Sequence, residues 1–554
     1  MTSKVLQSFP IILLLSALLI MNILSVRHNT ETTDEFKHFG YGSRILALDS
    51  NRFSDSEMPF SIFNIIPYRL KIFLQPQSKP VEYKVIPYHD KDINLDMYFP
   101  KDIEEINRGR YVTVLFSLLL AFFVFKWAKE LYGFFAGLFS LLLYVFDPNI
   151  IAHSQLMTTD LYATCMITIA TYYYWQFLKS GGWRKAFLSA VILGLSQLTK
   201  YTSTYLYPIF FLISFIKFIP QLSVLIKRKA LRKLWAYFKN FLKYTILFLL
   251  VSCIIINIGF LFNHTMIPLN EYKFKCRFFQ CIQSNLSALN PFVPLPYPYV
   301  QGLDWVKYNE RTGESIGSIY LLGELRLVNS DFKGFPGYYF CAFLFKVPIV
   351  IQLFILSSIF VYVWKRQKYN FLQNEMFLFA PILFFTVYFN FFYRCQIGIR
   401  HFLIIFPFLY IFCGNLLTTW SGWNLKVKTV FSLLITYLIL SVFSYFPHYL
   451  SYFNELVWDR KQAYKILADS NLDWGQDGWY LWRYTQKHPE AIVNPESPVA
   501  GKVIVRVNHL VGISDPKNSE KYKWLRDNFK PVDHVAYSYL VYEISPEELK
   551  KINK

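Results

Sequence analysis

A chain of 554 residues that is 54% hydrophobic, 19% aromatic and only 17% charged does not have the composition of a water-soluble domain. The formal net charge of +20 does not signal nucleic acid, because no basic stripe sits in a soluble module. In a membrane protein, Lys and Arg collect in cytoplasmic loops and against anionic headgroups. Among the seven cysteines no Cys/His spacing suits zinc, and most lie inside apolar runs, where they act as small core residues.

In chain order, apolar runs read as spans at 10–26, 110–127, 131–147, 161–178, 186–199, 203–221, 243–262, 340–364, 376–393, 402–418 and 429–446. The expectation is an α-helical polytopic membrane protein with about eleven transmembrane helices. Several runs are short, which leaves a re-entrant hairpin open near 186–221. The basic loops KWAKE, LKSGGWRK, LIKRKALRK, WKRQK and NLKVK all fall on one side if the N-terminus is cytoplasmic, which places the C-terminus outside. The first run is read as a span, not a signal peptide, since no A-x-A-like site follows it.

This topology makes residues 1–446 a transmembrane domain with large external loops at 27–109 and 263–338. Residues 447–554 form a small external α/β domain. In that tail GKVIVRVNHL and HVAYSYLVYEI read as strands and SEKYKWLRDNF as a helix. Asn263 and Asn285 head external sequons. Cys276 and Cys281 share the second external loop, which leaves a disulfide between them open.

Ionisable residues at membrane depth or at its edge are functional candidates, because burying them uncompensated is expensive. Four sets lie at the expected external ends of spans. Asp34 and Glu35, in TETTDEFKHFGYG, read in isolation as solvated loop charge, and functionally as a general base or metal ligand. His153 and Asp160 lie in DPNIIAHSQLMTTDLY, where Asp160 also suits a helix cap. Lys200, in LTKYTS, runs against the positive-inside trend and calls for an anionic partner; the bland alternative is a snorkelling lysine. Arg400 and His401 follow Gly398, and Lys346 lies near another external lip. Arg offers a fork suited to phosphate. A site that holds a lipid-linked phosphate and deprotonates a hydroxyl needs this mixture of cations and carboxylates.

TTDEFKHFGYG after the first span, SEMP at 56–59, AHSQLMTTDLYATCMITIATYYYW and GLSQLTKYTS together resemble the polyprenyl-phosphate-dependent membrane glycosyltransferases of the C superfamily. That clan includes protein O-mannosyltransferases and the aminoarabinose transferase that modifies lipid A. YLLGELR, QIGIRHFLIIFPF, SYFNELV and DSNLDWGQD resemble more closely a bacterial branch described as dolichyl-phosphate-mannose-protein mannosyltransferase-like. Loop 263–338 holds nothing like the β-trefoil that eukaryotic protein O-mannosyltransferases insert there.

The resemblance implies a glycosyltransferase that moves a sugar from a dolichyl- or undecaprenyl-phosphate donor to an acceptor hydroxyl on the external face. It implies catalytic roles for Asp34, Glu35 and Asp160. Lys200, Arg400 and His401 would face the donor phosphate; His153 and Lys346, read from their own positions on the external side, join that donor-phosphate set. Glu57 matches a position that contacts a metal or phosphate, so a divalent metal ion is the one cofactor implied. The implied partners are the donor lipid, an acceptor glycolipid, polymer or protein, and a bacterial inner membrane. The rival class is a transporter or flippase for a lipid-linked or anionic substrate. It calls for charges near the bilayer midplane and internal pseudo-symmetry, and no repeat is visible in this sequence.

Overall fold

The computed structural model of the chain describes residues 2–49, 54, 57–74, 103–329, 331–365 and 370–552. Parts of loop 27–109 and of the basic loop after Trp364 lie outside the described residues.

Each apolar run is helical. α1 (Thr2–Val26) precedes two helices of the first loop, α2 (Glu35–Leu46) and α3 (Ser61–Leu74). Then come α4 (Ile103–Tyr132), α5 (Phe134–Val145), α6 (Pro148–Ser154), α7 (Thr159–Ser180), α8 (Trp183–Ser196), α9 (Leu206–Lys227) and α10 (Leu231–Gly259). The second loop holds α11 (Arg277–Leu286), α12 (Tyr297–Thr312) and two small hairpins. One hairpin pairs β1 (Ile267–Pro268) with β2 (Phe292–Val293), the other β3 (Ser318–Leu321) with β4 (Glu324–Leu327). α13 (Tyr338–Lys346), α14 (Ile349–Trp364), α15 (Met376–Phe391), α16 (Phe406–Cys413) and α17 (Leu425–Phe443) complete the bundle, with α16 flanked by 3-10 turns from Ile399 to Gly422.

Among the described residues, six helical segments are long and apolar enough to cross a membrane. There are up to eight if the bent pairs α5–α6 (66°) and α13–α14 (112°) each count as one. The chain is therefore a polytopic helical membrane protein. Both bends sit at prolines. Pro148 opens α6 after Asp147, whose carboxylate accepts from the amides of Asn149 (2.7 Å) and Ile150 (3.1 Å). Pro348 caps α14. α7 falls outside that count because it is rich in Thr and Tyr, yet almost all of it is buried. Thr164, Thr168 and Thr171 each donate to the carbonyl four residues back at 2.8 Å, so the hydroxyls are satisfied within the helix and its surface packs as an apolar one.

The tail is more finely divided than its sequence suggests. Residues 449–477 form short 3-10 turns that pack on the bundle. α18 (Gly478–Lys487) follows, and then a four-stranded sheet ordered β5–β6–β8–β7. Its strands are β5 (Ile492–Val493), β6 (Gly501–Arg506), β7 (Asp533–Val535) and β8 (Tyr539–Ile544); all neighbours are antiparallel except β5 and β6. The strand expected over 501–510 stops at Arg506, where Val507–Leu510 forms a helical turn. The strand expected over 534–544 is a hairpin, because Ala536 and Tyr537 take positive φ and reverse the chain. Cys276 and Cys281 are both free. Cys276 caps α11 and Cys281 lies five residues on, about 140° around the helix, so their side chains diverge.

The first loop is fixed to the bundle by one buried ion pair. Arg110, in α4, donates from Nε to Glu35 Oε1 (2.8 Å) and from Nη2 to Glu35 Oε2 (2.6 Å), and neither side chain has solvent-exposed area. The guanidinium also donates to the carbonyls of Asn29 (3.1 Å) and Thr30 (2.7 Å). Glu35 accepts in addition from the amides of Thr32 (2.8 Å) and Met157 (3.0 Å). α2 then lies close on α3. A methyl group at Gly42 would come within 2.6 Å of the Ser61 carbonyl oxygen, so glycine permits the approach.

Removing one member of such a pair strands a buried charge. Glu35→Gln and Arg110→Met are each expected to destabilise the detergent-solubilised protein by about 3–5 kcal/mol. The apolar double substitution Glu35→Leu/Arg110→Met is expected to recover much of that loss in a thermal-shift measurement.

Candidate active site

Four charges from four remote segments meet beside the end of α7. Asp34 precedes α2, Asp160 lies in the first turn of α7, Lys200 precedes the 3-10 turn Tyr201–Tyr205, and Arg400 opens the turn that leads into α16. Arg400 Nη1 donates to Asp34 Oδ2 at 2.9 Å and lies 3.7 Å from Asp160 Oδ2. Lys200 Nζ donates to Asp160 Oδ1 at 2.5 Å and to His401 Nδ1 at 3.1 Å. With Nδ1 accepting from the ammonium, the His401 proton is assigned to Nε2. Tyr393 Oη lies 3.4 Å from the same Nδ1. Two carboxylates thus balance two cations, close to the N-terminal ends of α2 and α7, whose dipoles favour an anion.

Asp160 is 3% exposed, Arg400 7% and His401 9%, whereas the Asp34 side chain is 26% exposed, the more open of the two carboxylates. Desolvation pushes the Asp34 carboxyl up, but the Arg400 guanidinium, helped by Lys37, more than offsets it, and the group sits below the usual carboxylate value. For Glu35 desolvation is likewise outweighed, first by the Arg110 charge and then by bonds from Arg110, Met157 and Thr32. His38, beside this set, is pushed down to about 4 chiefly by burial, and is therefore neutral near pH 7. Among the described residues, Arg400 Nε, His401 Nε2 and His153 Nδ1 are buried and have no hydrogen-bond partner. These unsatisfied atoms lie in and beside the ionic cluster, where a polar ligand would meet them.

The structure separates the residues expected at the site. Asp34, Asp160, Lys200, Arg400 and His401 are brought together. His153 lies close by, its ring 6.2 Å from that of Trp474. Glu35, expected to share in catalysis, is instead saturated by Arg110 and two backbone amides and has no exposed face for a substrate. Lys346, expected at the donor phosphate, is fully buried elsewhere. Its ammonium donates to the carbonyls of Leu450 (2.7 Å) and Asn471 (2.6 Å), which ties the tail to α13. Glu57 bonds to Ser54. Among the described residues no three His, Cys, Asp or Glu side chains converge as a metal ion would require.

Sequence reasoning missed four contributors. Arg110 reads only as the polar start of a span, and Tyr393 as another aromatic at a span end. Trp474 and Asp469 lie in the tail motif DSNLDWGQD, whose density of polar residues was the available signal. The Trp474 ring centroid is 4.0 Å from the Arg400 guanidinium carbon. Asp469 takes a left-handed backbone (φ 57°), and its carboxyl is pushed up to about 6 by burial, partly offset by Arg400.

An ionic cluster at the helix ends of a polytopic membrane protein, with a carboxylate at its open side, is a candidate polar active site. Residues 104–256, which carry Arg110, His153, Asp160 and Lys200, match the family model described as dolichyl-phosphate-mannose-protein mannosyltransferase. That match is in keeping with the family its motifs resemble. The similar solved structures include two of ArnT from Cupriavidus metallidurans. The one bound to undecaprenyl phosphate has 11% identity and a TM-score of 0.43, over 79% of this chain and 71% of that one. The apo one has 12% identity and a TM-score of 0.41, over 80% and 64%. No curated protein matches the chain.

A carboxyl raised above its unfolded value favours the folded state at low pH, and that advantage is lost as pH rises through the folded value. For Asp469 the window runs from about 4 to about 6. Asp469→Asn keeps an acceptor for the Ser470 amide (2.6 Å). It is expected to stabilise the protein by on the order of 1 kcal/mol at pH 8 and to be near neutral at pH 4, read from melting curves at the two pH values.

Proposed function

We propose that this protein is a glycosyltransferase that moves a sugar from a polyprenyl-phosphate donor to an acceptor hydroxyl at the external face of the membrane. The single observation that carries the reading is the Asp34–Arg400–Asp160–Lys200 cluster, in which a partly exposed carboxylate shares its arginine with a buried one. The family description of residues 104–256 supports a dolichyl-phosphate-type donor. The reading includes the topology expected from the sequence, with about eleven spans, a cytoplasmic N-terminus and a bacterial inner membrane.

In this reading the donor phosphate takes the place of Asp34 on Arg400, with Lys200 as its second cation. Asp160 stays buried and holds both cations. Release from Arg400 removes the main attraction that depresses the Asp34 carboxyl, so phosphate binding makes Asp34 a stronger base. Asp34 then takes the proton of the acceptor hydroxyl, the acceptor oxygen bonds to the anomeric carbon, and the bond from that carbon to the phosphate oxygen breaks. The electron pair leaves with the phosphate, whose growing charge Arg400 and Lys200 stabilise. One base and no second candidate nucleophile favour a single displacement with inversion. His153 and His401, whose Nδ1 and Nε2 atoms respectively have no partner among the described residues, offer hydrogen bonds to the phosphate.

Asp34→Asn preserves shape and removes the base. In membranes supplied with a polyprenyl-phosphate sugar, its transfer rate is expected to fall by about 10²–10⁴-fold while the protein level is unchanged. Full activity of this variant would remove Asp34 as the base.

A further inference from the structure

We propose that Trp474 is a positioning residue for the transfer, and that the C-terminal sheet acts on the site through it. This rests on the reading that Arg400 meets the donor phosphate. The Trp474 ring lies against Arg400 at 4.0 Å and is 6% exposed. Its neighbours hold the segment that carries Asp34. The Thr30 amide donates to the Gln476 carbonyl (2.8 Å) and the Thr33 amide to the Trp474 carbonyl (3.2 Å). Thr30 Oγ1 donates to the Gly475 carbonyl (2.7 Å) and accepts from the Gly478 amide (3.1 Å). One tail segment thus braces both the base and the arginine.

The brace is anchored in the sheet. Arg506, the last residue of β6, donates to both oxygens of Asp473, from Nε at 2.7 Å and from Nη2 at 2.9 Å. Asn508 Nδ2 donates to the Asp473 carbonyl (2.8 Å), and Asn508 Oδ1 accepts from the Asp469 amide (2.9 Å). The residues on either side of Trp474 are therefore fixed by two independent sets of bonds, one from the sheet and one from the first loop.

An indole suits this task for a physical reason. A cation–π contact uses the flat face of the guanidinium and leaves its N–H edge free. Trp474 can therefore hold the plane of Arg400 while the edge exchanges the Asp34 carboxylate for a phosphate. A hydrogen-bonding side chain in its place would compete for that edge, and an aliphatic one would leave the plane free to rotate.

The test uses the full-length protein in detergent micelles, with undecaprenyl phosphate as the probe. Trp474→Leu is expected to weaken binding about tenfold, and Trp474→Phe, which keeps a ring face, by less than about threefold. In an Arg400→Met background Trp474→Leu is expected to cost nothing more, because its effect passes through the arginine. Should the leucine variant fold poorly, Arg506→Gln, in the sheet, is expected to weaken binding in the same Arg400-dependent way. Unchanged binding by Trp474→Leu, or an equal loss with and without Arg400, would overturn the positioning role while leaving the lipid-phosphate reading intact. A wild-type protein that does not bind the lipid would overturn that reading, and the positioning role with it.

Discussion

The geometry of the site depends on burying one ion pair, Glu35–Arg110, where the first loop meets α4. Neither side chain has exposed area, and each is surrounded by further hydrogen bonds to backbone. Such a pair adds little net stability compared with an apolar replacement, because two charges must be desolvated. What it supplies is position. Its bonds fix Asn29, Thr30, Thr32 and Met157 relative to α4, and Asp34, the residue before Glu35, is left facing Arg400. The acidic pair in the first loop is thus divided by its surroundings. The buried acid is structural and the more open one is available for chemistry.

The second constraint is charge balance. Asp34 and Asp160 offset Lys200 and Arg400 at the end of a bundle where none of these groups could be buried unpaired at low cost. In the proposed reading a donor phosphate entering this set replaces a carboxylate, and Asp34, the more open of the two, is the one displaced. Binding and activation of the base are then coupled by electrostatics. The tail adds rigidity to this arrangement. It meets the first loop, the Ile399–Ile405 turn and α13 through the same short segment, residues 469–478.

Much of this was legible in the sequence, for reasons that also explain the rest. Hydropathy is summed over neighbouring residues, so the apolar runs stand out in the sequence, and the structure makes them helical. It could not show that α7 is almost wholly buried, because threonines that bond back into their own helix look polar on any scale. Asp160, Lys200 and Arg400 stood out as charges beside apolar runs, and the structure brings them together. Glu35 and Lys346 stood out in the same way, yet their partners are Arg110, over 70 residues away, and carbonyls of the tail, over 100 away. No local pattern carries such pairings. Trp474 was hidden for the same reason, since its contact with Arg400 joins a motif in the tail to a lip of the membrane domain. The β-hairpin at 533–544 looks like one strand in sequence because Ala536 and Tyr537 at positive φ leave no glycine to mark the turn.

The most direct test of the account is a cryo-electron microscopy structure of the protein with undecaprenyl phosphate bound. The account predicts phosphate density within hydrogen-bond distance of Arg400 and Lys200, with Asp34 detached from Arg400 and Asp160 still in place. A phosphate bound away from these cations, or bound with the Asp34–Arg400 pair intact, would contradict it.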